Sequence, residues 1–162
     1  MIHDLTTKIS KEQMERWLEK SEQRHITSGH IGTHLDAYRK TPIPLDYFKS
    51  PGLLIDVSNI CEEREITIDD VSGSQIPQGS FVLFRTARIE RFEYGSTAYF
   101  KDHPQLSHTL IDWLISHKIR FIGIDCSGIR RGEEHRDADI RCEDSGIYVI
   151  ENLCNLDQIQ TA

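Results

Sequence analysis

The stretch that decides the fold runs over residues 104–129 and reads "PQLSHTLIDWLISHKI" followed directly by "RFIGIDCSGI". Ser107 is a possible helix N-cap, and the apolar residues after it recur at helical spacing. These residues are Leu110, Ile111, Leu114 and Ile115. The second part is a short apolar run, typical of a buried strand, and "QIPQGSFVLFRTA" (75–87) enters another strand through a Pro/Gly turn. A helix that links two such strands predicts a βαβ unit.

Further segments are predicted to be strands. We predict a short strand in "IHDLT" (2–6) and a buried strand in "GLLIDVSN" (52–59). "EITIDDV" (65–71), in which apolar and polar residues alternate, and "GIYVIENL" (146–153), the last in the chain, are also predicted strands. Because strands outnumber helices, we predict an α/β or α+β fold, a single compact domain over residues 1–162 with a mixed β-sheet flanked by helices. A length of 162 residues fits one domain of roughly 100–200 residues.

Two further helices are predicted. "SKEQMERWLEKSEQ" (10–23) begins with a capping box, in which Ser10 is the N-cap and Gln13 lies three residues later. Its apolar face consists of Met14, Trp17 and Leu18. "RRGEEHRDADIRCEDSG" (130–146) is highly charged, and we expect it to hold a solvated helix that ends at Gly146.

The composition is that of an ordinary soluble globular protein, with 38% hydrophobic and 28% charged residues. The formal net charge is −7, so neither nucleic acid nor an anionic membrane surface is expected as a partner. No apolar run approaches the roughly 20 residues of a membrane span, and "MIHDLTTKIS" (1–10) lacks the regions of a signal peptide. The four cysteines contain no C-x-x-C pair: Cys61, Cys126, Cys142 and Cys154. We expect a cytoplasmic protein with reduced cysteines, with Cys126 and Cys154 in the core.

The stretch "SGHIGTHLDAYRK" (28–40) concentrates histidine and aspartate. On a helix His30 and His34 would share a face without Asp36, since six residues is not near a whole number of turns. On an extended chain alternate side chains point the same way, so these three residues and Gly32 would line one face. The other face, expected to pack inward, consists of Ile31, Thr33 and Leu35. The extended interpretation is favoured, and Gly32 would leave space for something to approach the backbone.

Two imidazoles and a carboxylate are the ligand types of a borderline divalent metal such as Zn²⁺ or Mn²⁺. A helical H-E-x-x-H zinc site is excluded, because Ile31 stands where its glutamate must be. One segment cannot complete a coordination sphere, and Glu151 is a candidate from elsewhere, since a lone glutamate among apolar residues is costly to bury unpaired. Two alternatives stay open: the histidines only form hydrogen bonds, and Glu151 faces water at a strand end.

These residues resemble the cyclase family of metal-dependent hydrolases, which includes the bacterial kynurenine formamidases, a class of arylformamidase. "HIGTHLDA" (30–37) is similar to the family hallmark H-x-G-T-H-x-D-x-P-x-H, and "YVIENLCNL" (148–156) is similar to its downstream Glu-Asn-Leu. "DLT" near the start, "GSFVLFRTA" (79–87) and "IGIDCSGI" (122–129) resemble further family patterns. The similarity spans nearly the whole chain.

The resemblance implies a fold of the swivelling β/β/α type, usually assembled as a homodimer or a larger homo-oligomer such as a tetramer. It also implies one or two divalent ions, Zn²⁺ or Mn²⁺, held by His30, His34, Asp36 and Glu151. If two ions are present, Asp36 and Glu151 are the carboxylates expected to bridge them.

The sequence departs from the family pattern at four positions. The last histidine of the hallmark, which the family uses as an acid/base, falls on Lys40, and its proline falls on Tyr38. The downstream histidine ligand falls on Asp139, and His135, one helical turn earlier, could substitute only if the local register shifts. Ala87 stands where the family has a glycine.

These departures have chemical consequences. If Asp139 is a metal ligand, a charged oxygen replaces the neutral nitrogen of the family histidine, which favours harder ions such as Mn²⁺ or Mg²⁺. The alternative interpretation is that Asp139 is no ligand and lies at a solvated position of the helix. Lys40 is the candidate catalytic acid/base, a role that needs a nearby dication because a free ammonium group is a weak acid. Lys40 could instead pair with a substrate carboxylate or reach solvent.

The favoured function is a metal-dependent hydrolase of a small amide, an enzyme that cleaves a non-peptide C–N bond with a metal-activated water. Lys40 or another group would donate the proton to the leaving nitrogen. The alternative is a catalytically degenerate family member that binds a metal and a small carboxylate ligand without turnover, which Lys40 and Asp139 favour. A third hypothesis, a plain structural protein, predicts no tightly bound metal.

Overall fold

Five strands form one mixed sheet in the computed structural model, which describes residues 2–19, 30–60 and 64–159. In chain order they are β1 (His34–Leu35), β2 (Gly52–Asp56), β3 (Phe81–Arg85), β4 (Phe121–Ile124) and β5 (Tyr148–Glu151). Their order across the sheet is β1-β5-β4-β3-β2, with β1 antiparallel to β5 and the other neighbours parallel. This sheet and its flanking helices confirm the predicted α/β fold with a mixed sheet.

The helices of the described residues are α1 (Lys11–Glu19), α2 (Arg88–Arg91), α3 (Thr97–Phe100), α4 (His108–Ser116) and α5 (Glu133–Asp144). Short 3₁₀ helices span Leu45–Phe48, Ile68–Asp70 and Leu156–Gln158. Helix α4 joins the parallel neighbours β3 and β4, which confirms the predicted βαβ unit. Ser107 caps it as predicted, because its Oγ accepts a hydrogen bond from Leu110 N at 3.2 Å. Within the described part of the chain, no helix has the length and apolar character that a bilayer crossing requires.

The main hydrophobic core lies between one face of the sheet and helices α4 and α5. The sheet contributes Val82, Phe84, Ile122, Ile124 and Val149, and the helices contribute Leu110, Ile111, Leu114, Ala138 and Cys142. Because side chains alternate along a strand, Glu151 lies on the same helix-covered face as Val149, two residues earlier. The end of β5 therefore places a carboxylate at the margin of an apolar core.

Helix α1 begins with the predicted capping box. Ser10 N donates to Gln13 Oε1 at 2.9 Å, and Gln13 N donates to Ser10 Oγ at 3.1 Å. Trp17 is buried and Met14 packs beside its cluster, whereas Leu18 is 64% exposed, so the prediction that Leu18 shares the buried face is wrong. Residues 20–23 of the predicted helix lie outside the described residues.

Two of the predicted strands are wrong. In residues 65–71 only Ile66 pairs, in an isolated bridge to Leu106, and a 3₁₀ helix follows at once. The Thr67 and Asp70 side chains cap that helix reciprocally, and such local bonds compete with a strand ladder. Residues 2–6 likewise contribute a single bridge, between Thr6 and Leu153.

Helix α5 is not the fully solvated helix that its charge suggested. Its buried residues are Ala138, Asp139, Cys142 and Glu143. The helix ends near Gly146 as predicted, where Gly146 has φ +74° and Ile147 N donates to Cys142 O at 2.9 Å. Two of these four side chains, Asp139 and Glu143, belong to the site described next.

Among the described cysteines, Cys126, Cys142 and Cys154 form no disulfide with one another. Cys126 is fully buried, which confirms its predicted place in the core. Cys154 is only half-buried, so that part of the prediction is wrong, and Cys61 lies outside the described residues.

Candidate metal centre

Strand β1 lies at the edge of the sheet beside β5, and its register places His34 opposite Glu151. Directly opposed residues of an antiparallel pair point to the same face, so both side chains lie on the helix-covered face. His34 Nε2 is 3.8 Å from Glu151 Oε2 and 3.7 Å from Asp36 Oδ1. The sheet register therefore brings together an imidazole and a carboxylate that are far apart in the chain.

His30 joins this group through a turn at Gly32. Gly32 has φ +66°, and the strand covers only residues 34–35, so the predicted continuous extended segment is wrong at this point. His30 Nδ1 lies 3.2 Å from His34 Nε2 and 3.2 Å from Asp36 Oδ2. The structure thus brings the three predicted residues together, but by a turn and not by alternation along one strand.

The space beside Gly32 is filled by the chain itself. A Cβ at this position would lie 3.3 Å from Ile9 Cδ1 and 3.7 Å from Thr7 O. The N-terminal segment is therefore what approaches the backbone here. The residues expected to pack inward are only half-buried, namely Ile31, Thr33 and Leu35.

Helix α5 adds His135 and Asp139 to the same cluster, because residues four apart lie on one helical face. His135 Nε2 is 3.3 Å from Asp139 Oδ2, 3.3 Å from Glu151 Oε1 and 3.7 Å from Asp36 Oδ2. His135 and Asp139 reach the cluster together, so His135 lies there without the register shift that its substitution for Asp139 was expected to need. The i, i+4 spacing in the sequence was the signal for this arrangement.

The carboxylates of the cluster are buried. Asp139 is 3% exposed and Glu151 is 2% exposed, so the alternatives that placed them in water are wrong. Several of their oxygen atoms have no hydrogen-bond partner in the described part of the chain: Asp36 Oδ2, Asp139 Oδ1, Asp139 Oδ2 and Glu151 Oε1. Buried carboxylates are normally paired or hydrogen-bonded, and one imidazole N–H of His135 cannot satisfy three of them.

The donor atoms fit a divalent cation. They form two groups that share Asp36, and within each group the ligand atoms lie within 4.8 Å of one another. The first group is His30, His34 and Asp36, and the second is Asp36, His135, Asp139 and Glu151. Imidazole nitrogens mixed with carboxylate oxygens suit Zn²⁺ or Mn²⁺, and the unpartnered oxygens leave lone pairs for such an ion.

The cluster shifts the pKa values of its members. Burial, together with the neighbouring carboxylates, raises the pKa of Asp139 to about 7 and that of Glu151 to about 8. Contact with Asp36, and then the charges of Glu151 and Asp139, raise the pKa of His135 to about 9. Burial also opposes ionisation of Asp36, but the surrounding histidines outweigh it and lower the pKa of that carboxyl group. Without metal, the cluster therefore retains protons that a dication would displace.

We expect the metal-free protein to lose stability as the pH rises. Asp139, Glu151 and His135 all have pKa values above their usual 3.8, 4.5 and 6.5. The folded state then binds more protons, so the stability is present below these usual values and is lost as the pH passes through about 7 to 9. Each retained proton contributes about 1.4 kcal/mol per pH unit, or about 3–6 °C at roughly 2–4 °C per kcal/mol, so Tm should be at least about 5 °C lower at pH 9 than at pH 6.

Thermal unfolding in excess chelator measures this dependence. The variant Asp139→Asn should flatten it, because one of the shifted groups no longer titrates. A Tm of the metal-free protein that is constant or rises between pH 6 and pH 9 would contradict the expectation.

The segment that follows β1 is fixed to the end of α5 by Glu143, a residue that the sequence did not single out. Its buried carboxylate accepts hydrogen bonds from Tyr38 N at 2.7 Å and from Arg39 N at 3.0 Å. Lys40 comes next, exposed and in a left-handed conformation with φ +55°. The role of Lys40 in catalysis stays a prediction.

Tyr38 lies near the carboxylates and was noted in the sequence only as a departure from the family proline. Burial and the negative charges of Asp36, Asp139 and Glu151 raise the pKa of its phenol to about 12. The guanidinium of Arg136 lies 5.6 Å from the centre of its ring. Tyr38 therefore carries a protonated hydroxyl at neutral pH at the margin of the cluster.

Comparison with known proteins gives one family and a set of similar folds. The family model described as "Putative cyclase" matches residues 3–130, a range that holds His30, His34 and Asp36 and ends before α5. No curated protein matches the chain. The solved structure "The Structure Of Potential Metal-Dependent Hydrolase With Cyclase Activity" is 29% identical with a TM-score of 0.62, and the match covers 76% of this chain and 62% of that chain.

Two further solved structures are similar. Isatin hydrolase A from Labrenzia aggregata, bound to benzyl benzoate, is 26% identical with a TM-score of 0.70, over 81% of this chain and 62% of that chain. "The structure of predicted metal-dependent hydrolase from Bacillus stearothermophilus" is 27% identical with a TM-score of 0.64, over 82% and 65%. The chain thus spans less than two thirds of each of these three proteins. Because the family model covers well over half of its residues, the chain belongs to the cyclase family.

Proposed function

We propose that this protein is a metal-dependent hydrolase that cleaves the C–N bond of a small, non-peptide amide. The observation that carries the proposal is the set of buried carboxylate oxygens without hydrogen-bond partners in the described part of the chain. Three of these four oxygens face an imidazole nitrogen at 3.2–3.7 Å. Burying carboxylate oxygens at the apolar margin of a sheet is costly unless they are paired, hydrogen-bonded or bound to a metal. A structural role for the histidines alone leaves these oxygens unexplained.

We assign the ligands to the two groups that share Asp36. His30, His34 and Asp36 would hold one ion, and Asp36, His135, Asp139 and Glu151 would hold a second or complete the first. Zn²⁺ or Mn²⁺, one or two ions per chain, fits this mixture of nitrogen and oxygen donors. Such an ion would polarise a carbonyl oxygen and lower the pKa of a water molecule. The chain's own part is to orient these donors and to hold protons at His135 and Glu151 until they are displaced.

The similar proteins support the reaction class. One of them is by name a hydrolase of isatin, which is a cyclic amide, and two others are named as metal-dependent hydrolases. Small cyclic and aryl amides are therefore the substrates to test first. Lys40 remains the candidate proton donor from the sequence, and its exposure is the observation that favours the second function, binding of a metal and a small carboxylate ligand without turnover.

The first experiment is the metal content of the chain, measured by plasma mass spectrometry on protein purified without a histidine tag. We expect one or two equivalents of zinc or manganese, lost in His34→Ala and kept in His108→Ala, which removes an exposed histidine outside the cluster. A panel of amides, lactams and lactones then tests for hydrolysis. If the protein stays metal-free after incubation with both ions, the proposal is overturned. Bound metal without turnover would support the second function.

The homo-oligomer expected from the family resemblance also stays a prediction. An apolar groove of about 510 Å³ lies beside β1 and is lined in part by His34, Leu35, Phe48, Phe81 and Ile150. Phe48 is 72% exposed, and Leu45 in the same 3₁₀ helix is 85% exposed. These apolar side chains are compatible with self-association.

A further inference from the structure

Asn152 follows Glu151 directly, and both residues are buried, at 1% and 2% exposure. Regular strand alternation would send two consecutive side chains to opposite faces. Asn152 departs from it by adopting a left-handed conformation with φ +55°, which asparagine tolerates better than most residues. Its main chain is held on both sides, since Asn152 N donates to Cys126 O at 3.1 Å and Thr33 Oγ1 donates to Asn152 O at 2.8 Å.

The orientation of the Asn152 amide is determined by its partners. Nδ2 donates to Gly32 O at 3.0 Å, and Oδ1 accepts from the hydroxyl of Tyr99 at 2.7 Å. Because a main-chain carbonyl can only accept, rotating the amide by 180° would set two oxygens against each other. The amide therefore links Tyr99, in the core, to the turn at Gly32.

The same Gly32 carbonyl also accepts from the His34 ring, with Nδ1 at 2.9 Å. Because Gly32 O can only accept, Nδ1 carries a proton, and its 3.4 Å separation from Asn152 Nδ2 is then a contact between two donors and not a hydrogen bond. In the neutral ring the lone pair therefore lies on Nε2. Nε2 is the atom that faces His30, Asp36 and Glu151. The main-chain N–H of Gly32 is also held in place, because it donates a hydrogen bond to the Tyr94 hydroxyl at 2.6 Å.

We infer that Asn152 is a positioning residue for His34: by anchoring the Gly32 carbonyl, it selects the ring form that presents a free Nε2 to the metal centre. The inference rests on the proposed metal site for its functional meaning. Hydrogen-bond partners of the ring nitrogen that does not bind the metal fix the orientation of a histidine ligand in this way. Loss of one such partner typically weakens metal binding by about 10–100-fold.

The variant Asn152→Gly tests this, because glycine tolerates the left-handed backbone but has no side-chain N–H to give to Gly32. Asn155→Gly is a matched control. Asn155 is also left-handed, with φ +58°, and its Nδ2 also donates to a main-chain carbonyl, that of Asp4 at 2.7 Å. It makes no hydrogen bond to the described residues of the metal centre.

The first readout needs no metal. Two-bond ¹H–¹⁵N correlation spectra of the histidine rings, recorded in chelator, should show His34 protonated on Nδ1 in the wild type and in Asn155→Gly. In Asn152→Gly we expect the Nε2-protonated form or a mixture. The second readout is Kd for Zn²⁺ and Mn²⁺ by competition with a chromogenic chelator, expected to rise about 10–100-fold in Asn152→Gly alone.

An unchanged His34 ring form in Asn152→Gly would overturn the inference, as would Kd values within twofold of the control. If Asn152→Gly does not fold, Tyr99→Phe replaces it, because loss of the hydroxyl removes one of the two hydrogen bonds that hold the amide and should shift both readouts in the same direction, by less. A wild-type chain that binds neither ion would overturn the proposed function, whereas the spectra in chelator would still decide whether Asn152 controls the His34 ring.

Discussion

Replacing Glu151 with glutamine is expected to stabilise the metal-free protein and, at the same time, to abolish tight metal binding. Glu151 is 2% exposed, and its Oε1 has no hydrogen-bond partner in the described part of the chain. Burial, and then the charges of Asp139 and Asp36, raise the pKa of Glu151 to about 8, so the carboxylate is charged at pH 9. An amide of the same shape removes that charge, so the free energy of unfolding should rise by about 1 kcal/mol or more.

Metal binding should change in the opposite direction. Loss of a carboxylate ligand should weaken Zn²⁺ or Mn²⁺ binding by more than the roughly 10–100-fold that loss of an outer partner costs. Calorimetric titration with each ion, and chemical unfolding in chelator at pH 9, measure the two effects separately.

Glu143→Gln is the matched control for this variant. Glu143 is also buried, at 5% exposure, but its carboxylate accepts hydrogen bonds from Tyr38 N and Arg39 N. Removing its charge weakens charge-assisted bonds, so the metal-free protein should lose about 1–3 kcal/mol. If Glu151→Gln destabilises the metal-free protein as much as Glu143→Gln does, the carboxylate of Glu151 is structural and the metal centre is wrongly assigned.

Gly128→Ala is expected to displace His135 from the metal centre. A Cβ at Gly128 would lie 2.5 Å from His135 Nδ1 and 3.0 Å from Glu151 Oε1, and the residue has φ +107°. The imidazole ring must move away, because no contact this short is tolerated between atoms that are not bonded. We expect metal stoichiometry to fall or Kd to rise at least tenfold, since the second donor group loses its nitrogen.

Backbone strain alone would also destabilise this variant, so Gly132→Ala serves as its control. Gly132 has φ +59°, and a Cβ there would meet nothing within 4 Å. Both variants should lose roughly 1–3 kcal/mol from the strained conformation, but only Gly128→Ala should lose metal. Wild-type metal affinity in Gly128→Ala would show that His135 is not a ligand.

The sequence by itself determined those features that depend on short-range patterns. The capping box at Ser10, the N-cap at Ser107 and the apolar spacing after each predicted two helices. Apolar runs predicted the central strands, because these signals act over a few residues. His30, His34 and Asp36 lie within seven residues of one another, so their residue types and spacing already indicated a cluster. The residue type of Glu151, charged among apolar neighbours, indicated a second part of it.

Other features follow only from the tertiary structure, because they depend on elements distant in the chain. Docking of α5 on the sheet places His135 and Asp139 against Glu151, and Gly128 leaves the space that the imidazole needs. Glu143 clamps the segment before Lys40, and Asn152 reaches the turn at Gly32. A local pattern carries no information on these contacts, since each joins groups whose distance is decided by packing and not by periodicity.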